Sequence, residues 1–406
     1  MSAITISTGK VWGDAITEPA LVSVIPENVT VKAPGGYYLE KKNPFAYTDN
    51  ILIFKKNFCC DFYNGSTWLM FANREDLEFT PAECLDTGDT LQYGKDYYIY
   101  LVLDNLDFKL IVSLNSTYPD GYNANNSRKI GGFHYGAIRK VSDDGEWVPV
   151  DSNGVKFGSS GTKWQDNVTS GIIPNSVWDL KNKPKNFMPG MAKVKDFWVS
   201  IYQMSVDEAV TFMSGTNGLS VADGLLKSSY GELPATGTEG LNQFNFNELA
   251  RRQGMRLTYY NEWLLAAYGS PQGTDSGNNY GWTATGNTAR TRTGCSVNTS
   301  TGEYSIGGVK PYAVSAYNIC DCTGNVYEWQ ADYTIKQDST SWGWQNVLGA
   351  NMGQAYLPNA DGMSALVCGG YYSNGVHCGP RCVNLGHHPW NVHTLTGCRF
   401  ACDCAA

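Results

Sequence analysis

Positive charge is scarce in this 406-residue chain: 30 Lys and Arg against 38 Asp and Glu leave a net charge of −8 at pH 7. A nucleic-acid binder needs a basic stripe against phosphate, and no such stripe runs through the sequence, so that class is set aside. Long apolar runs are also missing. None approaches the roughly 20 residues that cross a bilayer, and we expect no membrane insertion. The opening MSAITISTGKVWGDA has no basic-then-apolar segment, so no signal peptide is expected. Histidine is rare, and outside one C-terminal stretch only His134 remains, which leaves a Ser–His–Asp hydrolase without a base in the body of the chain. The 12 cysteines are too thinly spread for a disulfide scaffold. Cys59-Cys60, Cys320-x-Cys322 and Cys402-x-Cys404 lack the gaps that zinc pairs prefer, so no metal site is expected, and the cysteines read as buried thiols, with one or two disulfides as the alternative.

What the chain does have is glycine (44), tyrosine (25) and tryptophan (12). Such a composition builds turns and loops tipped with aromatics, which give large contact area at low entropy cost. The length argues for two domains. Residues 1–168 read as β-structure, with strands expected at Asn28–Lys32, Asn50–Lys55, Trp68–Ala72, Asp96–Leu103, Phe108–Leu114 and Gly132–Lys140. Pro34-Gly35, Asn64-Gly65 and Asp120-Gly121 punctuate them as turns. Tyr97–Leu103 is apolar throughout and should be a core strand. This half reads as an attachment or spacer domain without chemistry, ending in a polar Gly/Ser-rich linker at 141–168.

The second half, 169–406, mixes helices with loops, an α+β pattern. Ser205-x-x-Glu208 has the form of a capping box and predicts a helix through Met213 closed by Gly215. A second helix is expected from Asn247 to Gln253 with Gly254 as its left-handed stop. A third should start with Thr258 as N-cap and run to Gly269.

The densest chemistry lies in residues 366–404, which hold four of the five histidines and six of the twelve cysteines. Its frame is rigid in character: Gly369-Gly370, Cys378-Gly379, Arg381-Cys382-Val383-Asn384-Leu385, Pro389-Trp390-Asn391-Val392 and Gly397-Cys398-Arg399-Phe400. Between these words sit single residues of no consistent chemical type. A catalytic site would show one chemical logic there. A scaffold with interchangeable tips would show this mixture.

Five words, in order over about 215 residues, carry a resemblance. MAKVKDFWVSIYQMSVDEAVTFM (191–213), RQGMRLTYYNEWLLAAYG (252–269), SAYNICDCTGNVYEWQAD (315–332), CGGYY (368–372) and GCRFACD (397–403) resemble the formylglycine-generating-enzyme family, a branch of the C-type lectin fold. The resemblance implies an α+β chain: a C-terminal C-type-lectin-like domain preceded by an all-β N-terminal domain. Gly324-Asn325 should form a turn that needs positive backbone angles and delivers Val326, Tyr327 and Trp329 to a core strand. Glu328 is expected as a satisfied structural carboxylate, with Arg399 paired to it or to another core acid.

Within that family the 366–404 frame resembles the variable proteins of diversity-generating retroelements, and 116–141 and 170–184 look like words found in their phage-borne members. In such systems adenines of Asn-type codons are randomised, which yields Tyr, Ser, His, Gly or Leu but not Trp, Lys or Glu. The resemblance therefore implies variable ligand-binding positions at Tyr371, Ser373, Asn374, His377, Gly386, His387, His388, His393 and Leu395. Tyr372 and Trp390 would be fixed neighbours, and Gly324, Asn325, Glu328, Trp329 and Arg399 scaffold. It implies a non-enzymatic binding protein on a phage tail, virion or cell surface. Its partner would be a cell-surface protein or other macromolecular ligand of a host cell, and the chain a homo-oligomer, a trimer by analogy. No cofactor is expected; a structural calcium is the one ion left open.

Two other readings stand beside it. The family's founding enzyme oxidises a cysteine through copper held by two cysteines in this region, and Cys378 and Cys382 lie close in sequence. Against that, their spacing is one residue short and Cys378 sits in a structural-looking frame. His387-His388-x4-His393 could gather three imidazoles around a metal, but adjacent loop histidines point apart and no carboxylate stands by to fix a tautomer.

Overall fold

The computed structural model describes residues 4–6, 37–38, 45–48, 50–63, 65–139, 168–214, 220–270, 290–294, 314–334, 343–345, 354–357, 362–374 and 377–405. The strand expected at Asn28–Lys32, the Pro34-Gly35 turn and almost all of the 141–168 linker lie outside them. The chain divides into two compact units: residues 1–135 with 176–183 and 405–406, and residues 136–175 with 184–404. Strand far outweighs helix in both, so the α+β expectation gives helix too large a share. Two short α-helices occur among the described residues.

In the first unit the strands are β1 (Ile4–Ile6), β2 (Tyr37–Tyr38), β3 (Phe45–Thr48), β4 (Ile51–Phe54), β5 (Cys59–Tyr63), β6 (Trp68–Ala72), β7 (Leu77–Phe79), β8 (Lys95–Asp104), β9 (Asp107–Ser113) and the start of β10 (Ser127–Arg139). Five of the expected strands are present within a residue or a few of the expected ends. β8 is buried from Tyr97 to Leu103, as its uninterrupted apolar run demands. It pairs antiparallel with β9 from Tyr98↔Ser113 to Asp104↔Asp107. Phe71 and Phe62 pack on Phe108 with ring centroids 5.1 and 5.3 Å apart. β12 (Trp178–Asp179) returns to this unit and pairs with β10 at Gly131 and Gly132. A Cβ on Gly132 would stand 2.5 Å from the Tyr97 carbonyl oxygen and 2.7 Å from the Trp178 indole nitrogen, so only glycine fits.

The second unit contains β11 (Val168–Ile172), β13 (Met191–Val194), β14 (Phe197–Ser200), β15 (Met204–Ser214), β16 (Ser220–Ser228), β17 (Arg256–Leu257), β18 (Tyr327–Thr334), β19 (Gly343–Gln345), β20 (Ala355–Leu357), β21 (Ser364–Gly369), β22 (Gly379–His387), β23 (Thr396–Cys398) and β24 (Phe400–Asp403). One sheet runs β13-β14-β24-β17, so the unit's last strand locks against its opening ones. The larger sheet runs β19-β20-β22-β21-β18-β23 and carries three of the four strands of the 366–404 stretch.

Three helix expectations meet different fates. Residues 205–213 are not helical: they form β15, paired with β16 from Met204↔Ser228 to Ser214↔Ser220. Val206, Val210, Thr211 and Phe212 favour a strand, and the ladder pairs eight of the strand's residues where the box would satisfy two donors. Ser205 is itself buried and bridged to Pro234, so it has no free helix end to cap. The second helix spans Gln243–Arg252, beginning four residues earlier than expected, because Asn242 and Asn245 cap each other's backbone amides at 3.0 and 3.2 Å. Gly254 ends it at φ +70°. The third spans Tyr260–Ala266; Glu262 accepts from the Tyr259 amide at 3.0 Å, while Thr258 is buried and donates to Gln330 instead of capping.

Candidate binding face

The frame of the face is set by one buried network. Gly324 and Asn325 sit at φ +77° and +64°, the pair of left-handed residues a tight turn into β18 requires. Asn325 is fully buried; its amide donates to Gln203 at 2.7 Å and its carbonyl accepts from the Thr291 amide at 2.7 Å. Glu328, at zero exposure, accepts from Gln203 at 2.9 Å and pairs with Arg399 Nε at 2.9 Å. Arg399 is equally buried and donates to the carbonyls of Ser200, Ile201 and Cys320. One guanidinium thus ties β14, β18, the 320 loop and the terminal strands together. Burial pushes the neighbouring Asp321 carboxyl up to about 6, against the pull of the Gly294 amide and Arg399. Trp329, also buried, completes the scaffold that the sequence marks.

On this frame the register aligns a row of side chains across the large sheet: Trp344 opposite Tyr356, Tyr356 beside Asn384, Asn384 opposite Val367, and Val367 opposite Trp329. Several of the variable positions rest on that row or beside it. The His377 ring stacks on Trp344 with centroids 4.2 Å apart and planes 2° apart. His387 meets Trp329 edge-on at 6.0 Å and Tyr327 at 6.3 Å. His393 meets His387 at 4.5 Å, and Tyr371 lies 5.4 Å from Tyr327 and 5.2 Å from Tyr372. His388 turns away, stacking on Trp390 at 4.8 Å and hydrogen-bonding the Met363 carbonyl at 2.6 Å. Adjacent histidines do diverge, and His387, His388 and His393 do not converge on one point.

The remaining positions shape loops. Ser373 is exposed, while Gly386 and Leu395 are half-buried. Asn374 accepts from the Tyr371 amide at 2.9 Å, and Asn391 from the His388 amide at 2.7 Å, so both asparagines hold turns. The loop around His393 is seated on Gly237, whose amide donates to the His393 carbonyl at 3.1 Å. Trp390 is 49% exposed and the most open aromatic of the stretch.

Burial favours the neutral form of three imidazoles of the face, those of His377, His387 and His393. Burial, with help from His393 and His388, pulls His387 down to about 4, and burial also lowers His377 and His393. Cys378 and Cys382 are buried, the Cys378 thiol donates to the Tyr371 carbonyl at 3.3 Å, and burial pushes it up. A reactive thiolate needs an exposed, electropositive setting. These thiols are frame: a Cβ on Gly370 would already meet Cys378 Sγ at 2.7 Å.

Trp344, Tyr356, Tyr327, Asn384 and Gly237 belong to the face or hold it, and reasoning from the sequence did not single them out for it. Their signal was long-range pairing, which no local motif carries.

A β-rich sheet framed by a buried ion pair, with loop-borne aromatics and neutral imidazoles on one face, defines a C-type-lectin-like binding domain. Residues 176–403 match the sulfatase-modifying factor enzyme 1-like domain, and the chain belongs to that family. Residues 65–179 match the Mtd second domain. The chain is 28% identical over 337 residues to the tail fiber receptor-binding protein of Bordetella phage BPP-1, covering 81% of this chain and 71% of that one. It shares its fold with the U1 variant of the major tropism determinant (TM-score 0.61, 21% identity, 91% and 86% of the two chains). The I1 variant is similar, with TM-score 0.61, 22% identity and 90% and 84% coverage.

Proposed function

We propose that this chain is a receptor-binding protein of a phage or prophage tail. Its C-terminal face grips a macromolecule on the host surface, and its contact residues are exchanged by a retroelement. One observation carries the reading. Residues with the chemistry of exchanged codons (Tyr371, His377, His387, His388, His393) each pack against an aromatic neighbour and take no part in the buried Gln203–Asn325–Glu328–Arg399 network. Likeness to a relative named as a tail fiber receptor-binding protein supports it.

Recognition fits this site better than catalysis. The imidazoles of His377, His387 and His388 pack against aromatic rings, and the two nearby thiols are buried. A standard interface needs about 800 Å² on this side, roughly 20 residues. The variable positions alone fall short, so fixed aromatics must contribute and several copies must bind together. A homotrimer displayed on a tail would turn weak single contacts into avidity.

The test is adsorption. The purified chain, labelled, is incubated with a panel of bacterial strains alongside a version whose Tyr371, His377, His387, His388 and His393 are replaced by another Tyr/Ser/His/Gly set. The reading expects cell binding to some strain and a changed strain preference for the replaced version. The same strain profile for both versions would overturn it.

A further inference from the structure

The variable side chains are not free-standing. His377 lies flat on Trp344, whose other neighbour is Tyr356, edge-on at 5.4 Å. Trp344 and Tyr356 come from β19 and β20, outside residues 366–404, and each is half-buried. His377 is also held by Gln354, whose side-chain oxygen lies 2.8 Å from its Nδ1. The cross-strand row places Trp344 and Tyr356 in line with Asn384 and Trp329, beneath His387. The fixed floor therefore runs unbroken from the β18 side of the face to the β19 edge.

We infer that Trp344 and Tyr356 are ligand-contact residues. They form a permanent aromatic platform that extends the recognition face described above, on which this inference rests. It takes planar side chains, aromatic or guanidinium, from a protein partner. The row holds no charged side chain, and its imidazole at position 377 is neutral. An indole face attracts cations and flat π-systems most strongly of the side chains. A chain of net charge −8 favours an arginine-bearing partner over an acidic one. When position 377 carries Ser or Gly, the indole itself becomes contact surface. A large residue there covers it and adds its own contacts. The platform thus lets one position switch between a pocket and a knob without disturbing the frame.

A library of the full chain, randomised only at Tyr371, Ser373, His377, His387, His388 and His393, is selected for binding to lysozyme, a basic, arginine-rich protein. Trp344→Ala, Tyr356→Ala, Trp344→Phe and the off-face control Trp68→Ala are then placed in each selected binder, with thermal melting checked in parallel. The platform predicts at least tenfold weaker binding for the two alanine variants in most binders. It predicts less than threefold loss for Trp344→Phe and no change for Trp68→Ala. Unchanged affinity in folded Trp344→Ala and Tyr356→Ala proteins would overturn the platform while leaving the recognition face standing. If Trp344→Ala melts early, Tyr356→Ala and Trp344→Phe decide by the same thresholds. Failure to select any binder would overturn the recognition face and the platform together.

Discussion

Replacing Arg399 with Met removes a fully buried charge that joins the strands of the frame. The guanidinium is fully buried, pairs with a fully buried Glu328, and donates to three backbone carbonyls. Losing one partner of a buried pair costs about 3–5 kcal/mol, because the other charge is left in a low-dielectric site. The three carbonyls would each lose a donor, at about 1–3 kcal/mol apiece if no water enters, though such losses overlap and do not add. Glu328, already pushed upward by burial against the pull of Arg399, would then take up a proton at neutral pH, which caps the loss near the upper end of the first range. Urea unfolding at pH 7 should therefore show an unfolding free energy lowered by at least 3 kcal/mol, read as an earlier midpoint at unchanged m. The double variant Arg399→Met with Glu328→Met should recover part of it, since an apolar pair leaves no orphaned charge. Ser373→Tyr, at an exposed tip, should stay within about 0.5 kcal/mol of the parent. An Arg399→Met loss below about 1 kcal/mol, or a Ser373→Tyr loss equal to it, would refute the division into frame and tips.

Gly237→Ala should disturb the face from below: its Cβ would lie 2.5 Å from the His393 amide nitrogen and 2.6 Å from its carbonyl carbon, so the loop must move. A stability loss of about 1–3 kcal/mol is expected in thermal melts, with weaker cell binding. The His387 imidazole is held neutral at about 4 while an unfolded histidine titrates near 6.5, so the unfolded state binds more protons between those values. Its contribution is therefore whole above pH 6.5 and lost as the pH falls toward 4, about 3 kcal/mol in all. His387→Phe should flatten the acid limb of the stability–pH curve by that amount, and an unaltered limb would count against the buried, neutral ring.

Much of the frame was legible in the sequence because its signals are local. Gly324-Asn325 announces a left-handed turn, Tyr97–Leu103 announces a buried strand, and Arg399 beside Phe400 has to find a core acid. The 205–213 segment misled because a capping box is a weak two-donor signal and its β-branched residues found a partner strand. The Gln243–Arg252 helix starts earlier than its sequence suggests because two asparagines, Asn242 and Asn245, form its capping box in place of the usual Ser/Thr and Glu. Positions 371–395 could be marked as tips, yet their floor could not. Trp344 and Tyr356 reach it through β19, β20 and β22, and pairing over that distance leaves no spacing to read.

The claim of a fixed frame with replaceable contents is tested most directly by sequencing the gene across many descendants of one clone. The account predicts substitutions gathered at Tyr371, Ser373, His377, Gly386, His387, His388, His393 and Leu395, with Trp344, Tyr356, Glu328 and Arg399 untouched. Substitutions scattered evenly along the chain, or entering the Gly324–Trp329 turn and strand as often as the tips, would contradict it.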